Sequence, residues 1–569
     1  MLLCAAFFEM GEHNMRLTKE RWATVCFWLV LVIMLVVGRY TYQDYGLTVD
    51  ENVERESAFM SYQHAAEMLF DKEISVFDQE LSEYADRYYG VALQLPMVAV
   101  EHLTGFTMPL RDAFLLRHLY TFLVCMTGWV CFYFFCKKVF RDGWLALLGM
   151  LMCALYPRFW GEQFTNIKDM MFAASCCASL LVTAICIEKE GKRLNEVISA
   201  FVFALCANTR FIGFMFPAVL FGYRVLRDAL QGRFAKPELR RWLKKDLPRY
   251  CINIVLVFGF YIIVSPVAWN DPIDYLRNVF GTFSNFTKYG GNVLFLGKFY
   301  PANQLPWYYL PVWIVLTAPI WYLLLMGFGV IDGGKQLVGR IRQRSVSDLL
   351  LNEYRYFVLC FVVAAIALVT PVVKEVTLYC SWRHMYYIFP SLIVLALFGV
   401  RAMLRKMQNH KWMRRAAAAV ACLLFAGQIG WTVYNHPFEK VYFNIVGRQV
   451  ADSMERDYWN EADYQQIQTI LRNDDTPRIN ISGDIFTGRT LNYFLDEEQM
   501  KRFYTWYGYP PEVEYIIDSA DTYEYERYTG YTPVHELRMK DGLLLSTIHI
   551  RDDVLQERFD GVYPEYNVQ

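Results

Sequence analysis

The stretch YPRFWGEQFTNIKDMMFAAS, Tyr156–Ser175, decides how the whole chain is read. It lies between two runs apolar enough for the interior of a bilayer, yet it carries Arg158, Glu162, Lys168 and Asp169. One Arg, Lys or Asp at the centre of a membrane helix costs about 2.5–3.5 kcal/mol on insertion scales, so a group of ionisable side chains cannot face lipid. They line a protein cavity or reach the water of the headgroup layer. In the plainer reading, Arg158 and Lys168 snorkel to phosphate headgroups and Glu162 and Asp169 pair with them.

The flanking runs belong to a chain-wide pattern. Of the 569 residues 55% are hydrophobic and 17% aromatic, against about 45–50% apolar in an ordinary soluble chain, which points to a membrane protein. The net charge is −1, so no bulk attraction to nucleic acid or to an acidic partner operates, and only the placement of charge is informative. No cysteine follows Cys422, and apart from Cys4 and Cys380 the 14 cysteines sit in apolar runs. That argues against a disulfide-stapled extracellular module. The twinned Cys176 and Cys177 read as small helix-packing residues.

Working outward, apolar runs recur near 22–38, 115–136, 143–157, 169–187, 197–208, 210–224, 251–268, 308–330, 356–373, 384–402 and 416–433. They predict a mainly α, polytopic membrane protein with about eleven crossing helices. The first run follows Arg16, Lys19 and Arg21 without a small-residue cleavage site and reads as a signal anchor. Lys and Arg concentrate on alternate connections, 137–141, 189–193, 233–245, 340–344 and 405–415. Short loops rich in these residues stay in the cytoplasm, which places residues 1–21 inside. An odd number of spans then puts the tail outside, with long loops at about 39–114 and 269–307.

In the first outer loop TVDENVERESAFMSYQHAAEMLF (Thr48–Phe70) has apolar residues at helical spacing, and YYGVALQLPMVAVEHLTGF (Tyr88–Phe106), broken by Pro96, reads as an interfacial segment. From His436 the pattern changes. Short β-like runs, RINISGDI, VEYIID and HELRMKDGLLLSTIHI, alternate with a helical run YQQIQTILRN, and Lys540-Asp541-Gly542 reads as a hairpin turn. The expected organisation is a transmembrane unit over 22–435 and a small α/β domain over 436–569. Asn473-Asp474-Asp475 resembles part of an acidic metal motif, but at a helix end it reads as a solvated turn, and no metal is called for. N-x-S/T matches at Asn285 and Asn480 are too common to assign a compartment.

At the depth of Tyr156–Ser175 the same count places Arg210 at a tight turn in CANTRFIGF, Arg383 and His384 at the start of a span in CSWRHMYYIFP, and Asp50 and Glu51 shortly after the first span. Arg158, Lys168, Arg210 and Arg383 thus gather beside Asp50 and Asp169 at the level of the outer leaflet. Arg grips a phosphate bidentately and Lys meets it as a point charge, so the cluster suits a lipid-linked phosphate. Plainer readings stand beside this one. Asp50 serves equally as a cap for a helix beginning near Asn52 or as the partner of a basic neighbour. His384 reads as a satisfied interfacial histidine, and Trp307, Tyr308 and Tyr309 as an interfacial belt.

With these residues in place the chain resembles the integral-membrane glycosyltransferases of the GT-C superfamily, in particular bacterial and archaeal relatives of the family 39 protein O-mannosyltransferases and the lipid A aminoarabinose transferase. The likeness runs through nearly the whole chain. Pro157, Arg158, Phe159, Asn166, Lys168 and Asp169 carry a PRF…N-x-K-D signature, and Asp50-Glu51 matches the family's loop acids. WNDP (Trp269–Pro272), LPWYY (Leu305–Tyr309), WRH (Trp382–His384), HP with VYFN (His436–Asn444) and DYW (Asp457–Trp459) follow in the order such relatives show. Ile445 and Asn460 stand where the pattern expects glycines after YFN and DYW.

The resemblance implies a polyprenyl-phosphate-sugar donor, an inverting transfer to a hydroxyl on the outer face of a bacterial or archaeal plasma membrane, and no required cofactor. Membrane lipids are partners, nucleic acid is not, and the acceptor is open among a protein, a lipid and a polysaccharide. Asp50 is expected as general base, and Asp169 is expected to hold Lys168 or contact the sugar. Lys168 and Arg383, then Arg158 and Arg210, are expected to stabilise the leaving phosphate. Glu51, Asn166, His384 and Trp307 are expected to line the substrate. A transporter or flippase of a lipid-linked sugar competes with this reading, but it calls for polar groups near the midplane, where these runs are almost entirely apolar.

Overall fold

The computed structural model describes residues 12–71, 79–105, 108–284, 289–343, 354–482, 485–520 and 528–564; Asn285 lies outside them. Among the described residues seven helices are long and apolar enough to cross a membrane: Thr18–Thr41, Leu110–Phe140, Asp169–Glu188, Glu238–Ile263, Tyr354–Lys374, Arg383–Lys406 and Lys411–Tyr434. Gly143–Ala154 and Pro157–Thr165, bent by 64°, make an eighth if the pair is one crossing. The bend follows from Pro157, whose ring holds the preceding residue out of helical geometry; Tyr156 has φ −62° and ψ 120°.

The runs at 197–208, 210–224 and 308–330 are helical too, as Arg193–Thr209, Met215–Leu230, and Tyr309–Thr317 followed by Ile320–Arg342. These pieces are short, interrupted or charged, so the expectation of about eleven crossings reduces to seven or eight by length and composition. An apolar run of modest length is the same signal whether its helix crosses the bilayer or ends inside the bundle.

Burial sorts the crossings. The apolar windows of Asp169–Glu188 and Arg383–Lys406 are each 78% buried, whereas that of Lys411–Tyr434 is 6% buried and leaves its side chains on the outside of the bundle. At the centre, Leu110–Phe140 meets Asp169–Glu188 at Gly128, where a Cβ would lie 2.5 Å from the Ala174 Cα, the small-residue approach that lets membrane helices pack closely.

Residues of the basic connections and of the helix ends beside them pair at one end of the helices. Lys137 pairs with Glu20 at 3.8 Å, Lys138 and Arg355 with Glu188 at 2.5 and 3.8 Å, and Arg227 with Glu190 at 2.6 Å. The opposite end gathers the Thr48–Phe70 region, the Tyr156–Asp169 stretch, Arg210, the 376–383 segment and the tail.

Val49–Phe70 is a helix as expected, but Thr48, not Asp50, is its N-cap; Glu51 completes a capping box with Thr48. In the long loop before Trp307, β1 (Asn292–Phe295) and β2 (Lys298–Pro301) form a hairpin through Leu296 and Gly297. In the tail, Phe438, Val441 and Phe443 still belong to the core of the helical unit. The separate α/β core begins with helix Ala462–Asn473, whose Ile467 and Ile470 pack on a sheet through Ile479, Ile481, Ile548 and Ile550. That sheet comprises β3 (Ile479–Ser482), β4 (Phe503–Trp506), β5 (Tyr515–Ser519), β6 (Tyr531–Arg538) and β7 (Leu544–Arg551), in the order β4-β3-β5-β7-β6. The β6–β7 pair is antiparallel, and Gly542 has φ +88° in the predicted turn. Asp474 corrects the expectation of a solvated turn. It is buried and accepts from Tyr515 Oη and Arg558 Nη1, each at 2.8 Å.

Candidate functional site

A cavity of about 500 Å³ opens where the loops of the second end converge, and Asp50, Glu54, Tyr89, Lys168, Arg210 and Arg383 line it. Its remaining wall includes Phe211, Ile212, Tyr261, Ala367 and Tyr387. Charged groups therefore face an apolar surface in one space. The segment Tyr88–Gly90 reaches it because Gly90 rides directly over the Asn208 carbonyl, where a Cβ would lie 1.7 Å from the oxygen.

Arg383 is the hub. Its Nη1 donates to Asp50 Oδ2 at 2.9 Å and to Asp169 Oδ2 at 3.1 Å, and its guanidinium lies 4.4 Å from the Trp459 ring and 5.0 Å from that of Tyr379. The backbone before it is strained: Cys380 and Ser381 have φ of +57° and +64°, a region that costs an L-residue about 1–2 kcal/mol. Three contacts hold that turn. Ser381 N–H donates to Glu455 Oε2 at 2.9 Å, Tyr309 Oη to Ser381 O at 3.0 Å, and Arg158 Nη1 to Ser381 Oγ at 3.2 Å.

The two aspartates differ in kind. Asp169 is 1% exposed; it pairs with Arg210 as well as Arg383, and Asn166 Nδ2 donates to it at 3.3 Å. Asp50 is 37% exposed at its side chain, held by Arg383 and open to the cavity. Asp169 thus fixes two guanidinium groups, and it does not hold Lys168 as one expectation had it. Lys168 instead pairs with Glu54, with its ammonium 3.9 Å from the centre of the Tyr89 ring.

Several expected site residues lie elsewhere. Arg158 is fully buried off the cavity, donating from Nε to Tyr442 O at 2.9 Å and flanked by Trp313 and Phe443. Its helix turns it toward the Ser381 seat, so it neither snorkels nor meets a phosphate in the cavity. Among the described residues Glu162 pairs with no cation; it accepts from Tyr386 Oη and Trp459 Nε1, each at 3.1 Å, from Asn166 Nδ2 at 2.7 Å, and from Tyr458 Oη. Glu51 is buried under its cap, 2.8 Å from His118 Nε2. Asn166 is likewise buried, where it orients Asp169 through Asp169 N–H to Asn166 Oδ1 at 2.8 Å. Trp307 is exposed and lines a separate cavity of about 380 Å³. His384 does line the main cavity, packed edge-on against Tyr379.

Sequence reasoning missed Glu54, Tyr89, Tyr379 and Lys374, all on the cavity wall. Glu54 had a readable signal: it lies four residues after Asp50 in a predicted helix, on the same face. Residues of the tail pack behind the site. Trp459 stacks beneath Arg383, Lys440 pairs with Asp457 at 2.7 Å and Glu461 at 3.1 Å, and Arg489 donates to the Val49 carbonyl at the start of the Asp50 helix. Asn460, in place of the expected glycine, has φ +54°, a conformation that Asn tolerates better than most residues.

Among the described residues no group of three or more His, Cys, Asp or Glu side chains is placed to hold a metal ion.

The chain is similar to solved structures of two kinds. One is the Archaeoglobus fulgidus oligosaccharyltransferase, in the apo form (11% identity, TM-score 0.44, 87% of this chain and 69% of that one) and tethered with an acceptor peptide containing the NVT sequon (11%, 0.44, 91% and 74%). The other is ArnT from Cupriavidus metallidurans bound to undecaprenyl phosphate (12%, 0.44, 92% and 97%). No family model and no curated protein matches the chain.

Proposed function

We propose that this chain is a membrane glycosyltransferase that moves a sugar from a polyprenyl-phosphate donor to an acceptor hydroxyl on the outer face of a plasma membrane. The observation that carries the reading is the cavity itself. One partly open carboxylate, Asp50, held by Arg383, shares with Lys168 and Arg210 a space whose wall is partly apolar. Cations with an apolar wall suit a phosphate on a hydrocarbon chain, and a carboxylate beside them suits a hydroxyl that must lose a proton.

In the proposed step Asp50 accepts the hydroxyl proton as the acceptor oxygen bonds to the anomeric carbon. The bond from that carbon to the phosphate oxygen breaks, and its electron pair leaves on the phosphate. Lys168, Arg210 and Arg383 are fixed before the charge appears, which is the condition for strong stabilisation in a site poor in water. Asp169 acts as a positioning residue by holding both arginines. A single displacement inverts the anomeric centre. The basic end of the helices faces the cytoplasm in this reading, together with the N-terminus, and the α/β unit lies outside. The motif order supports a family 39 type of enzyme, with a hexose as the sugar class.

The test is transfer in proteoliposomes from a panel of radiolabelled polyprenyl-phosphate sugars, with wild type, Asp50→Asn and Lys168→Ala. Release of polyprenyl phosphate by wild type, reduced about 10²–10⁴-fold in Asp50→Asn and strongly in Lys168→Ala with both variants folded, is the expected result. Donor that crosses the bilayer unhydrolysed and equally with all three proteins would make the chain a flippase.

A further inference from the structure

Glu54 belongs to no motif of the chain, yet it shares the cavity with Asp50. The two lie one turn apart on the Val49–Phe70 helix. Their surroundings differ: the Asp50 side chain is 37% exposed, that of Glu54 9%. Glu54 spends its charge on Lys168, whose ammonium is also held against Tyr89. That same ammonium is the one an incoming lipid phosphate requires. Two anions cannot crowd one ammonium in a poorly solvated space without cost, and a buried carboxylate meets that cost most cheaply by protonation.

We propose that Glu54 is the counterion of Lys168 in the empty site and takes up one proton when a lipid phosphate binds, releasing the ammonium to the phosphate. This rests on the phosphate-lipid reading above and adds to it a proton-coupled binding step. Charge balances through the cycle. The donor is a phosphodiester with one negative charge. Cleavage of the bond to the anomeric carbon leaves a monoester, which gains a second charge above a pKa of about 6, while the acceptor's proton rests on Asp50. A neutral Glu54 leaves Lys168 fully available to the dianion, and departure of the product restores the Glu54–Lys168 pair as the proton leaves.

Charged and titratable groups reach Glu54 from several elements. Asp50 faces it from its own helix, Lys168 from the start of the Asp169–Glu188 helix, Arg210 from the turn after Arg193–Thr209, and Tyr84 and Tyr89 from the loop that follows the Val49–Phe70 helix. Asp86, Lys374 and Arg383 lie across the cavity. Burial raises the Glu54 carboxyl above the usual range; Lys168 opposes the rise and Asp50 adds to it. An anion arriving beside Lys168 pushes in the same direction as Asp50.

The experiment uses the methyl ester of a polyprenyl phosphate, a donor mimic whose single charge does not titrate near neutrality. It is bound to the whole protein in nanodiscs between pH 6 and 8.5. Wild-type affinity is expected to fall as pH rises, by at most about tenfold per unit for one proton. Glu54→Gln should bind on the order of tenfold tighter at pH 8, the usual scale of coupling between two ligands, with a flatter profile. Glu54→Asp should restore the wild-type slope. Calorimetry of wild type alone, in buffers of different ionisation enthalpy, should show proton uptake on binding. Parallel profiles for wild type and Glu54→Gln, or no proton uptake by wild type, overturn the role of Glu54 while leaving phosphate-lipid binding in place. No binding by wild type at any pH overturns that reading and the role with it.

Discussion

At the end of the helices away from the cavity, Arg227 donates to Glu190 at 2.6 and 3.0 Å and to Asp228 at 3.1 and 2.7 Å. Asp228, 0% exposed at its side chain, also accepts from Tyr250 Oη at 2.7 Å and Trp242 Nε1 at 2.8 Å, and Arg224 grips Glu196 through two bonds of 3.1 and 2.6 Å. At the cavity end Arg383 has just as many ionic neighbours, but one of them, Asp50, stands open to a space of about 500 Å³. Both regions hold charges in a largely apolar protein. The first spends its buried carboxylates on joining helices, whereas in the second one carboxylate of the network borders open space. Enclosure, more than the presence of charge, separates a structural network from a site.

The largest expected effects break this comparison in opposite directions. Arg227→Gln removes the main cation of the buried Asp228, leaving it the more distant Arg233, and should destabilise the fold by about 2–4 kcal/mol, while the molecules that remain folded turn over at the wild-type rate. Arg383→Gln should lower turnover about 10²–10³-fold, as for the loss of one preorganised stabilising donor. Rates normalised to folded protein, set beside thermal unfolding of both variants, check the pair. Equal losses of rate per folded molecule would abolish the distinction.

The sequence supports only part of that contrast. Charge counting along the chain reports depth, and depth sufficed to bring Asp50, Lys168, Asp169, Arg210 and Arg383 to one end of the helices. It does not report azimuth. Arg158 shares the depth of Lys168, but its helix begins at the Pro157 bend and points it at the Ser381 turn, so its role is to seat Arg383 rather than to face the cavity. Trp307 lines a separate cavity. Glu54 differs: it belongs to no motif, and only the one-turn spacing from Asp50 on the Val49–Phe70 helix places it on the cavity. In the tail, the Gly542 turn and the β6–β7 hairpin were legible because turn chemistry is local, whereas the packing of Phe438, Val441 and Phe443 back into the helical core was not, because it depends on partners far away in the sequence.

A smaller effect sharpens the cavity side of the comparison. Tyr89 offers Lys168 a ring face at 3.9 Å, and such an interaction is worth about 0.5–2 kcal/mol according to its exposure. Tyr89→Ala should weaken binding of a polyprenyl-phosphate donor about 3–10-fold with little change in stability, while Trp307→Ala, on the separate cavity, should leave it unchanged. If Trp307→Ala proves the more damaging, the donor occupies the other cavity.

The smallest effect concerns a group of neither kind, His436, which ties the first long loop to the start of the tail. Its Nε2 lies 3.0 Å from Asp44 Oδ2 and its Nδ1 2.7 Å from Glu439 Oε1. Burial pulls its pKa down, but the hydrogen bonds and charges of Glu439 and Asp44 outweigh burial and hold it up, at about 9. The folded value therefore lies above the ordinary value of about 6.5. A group raised in this sense contributes its full stability below the unfolded pKa and loses it as pH climbs through the folded one. Wild type should melt progressively earlier between about pH 6.5 and 9, and His436→Gln should lack this dependence and melt a few degrees below wild type at pH 6.5. Since half of the Asp44 side chain is in water, screening weakens that arm, and 0.5 M salt should erase only part of the difference. Parallel melting curves for the two proteins across this range would mean that the imidazole is neutral and the clamp is held by packing alone.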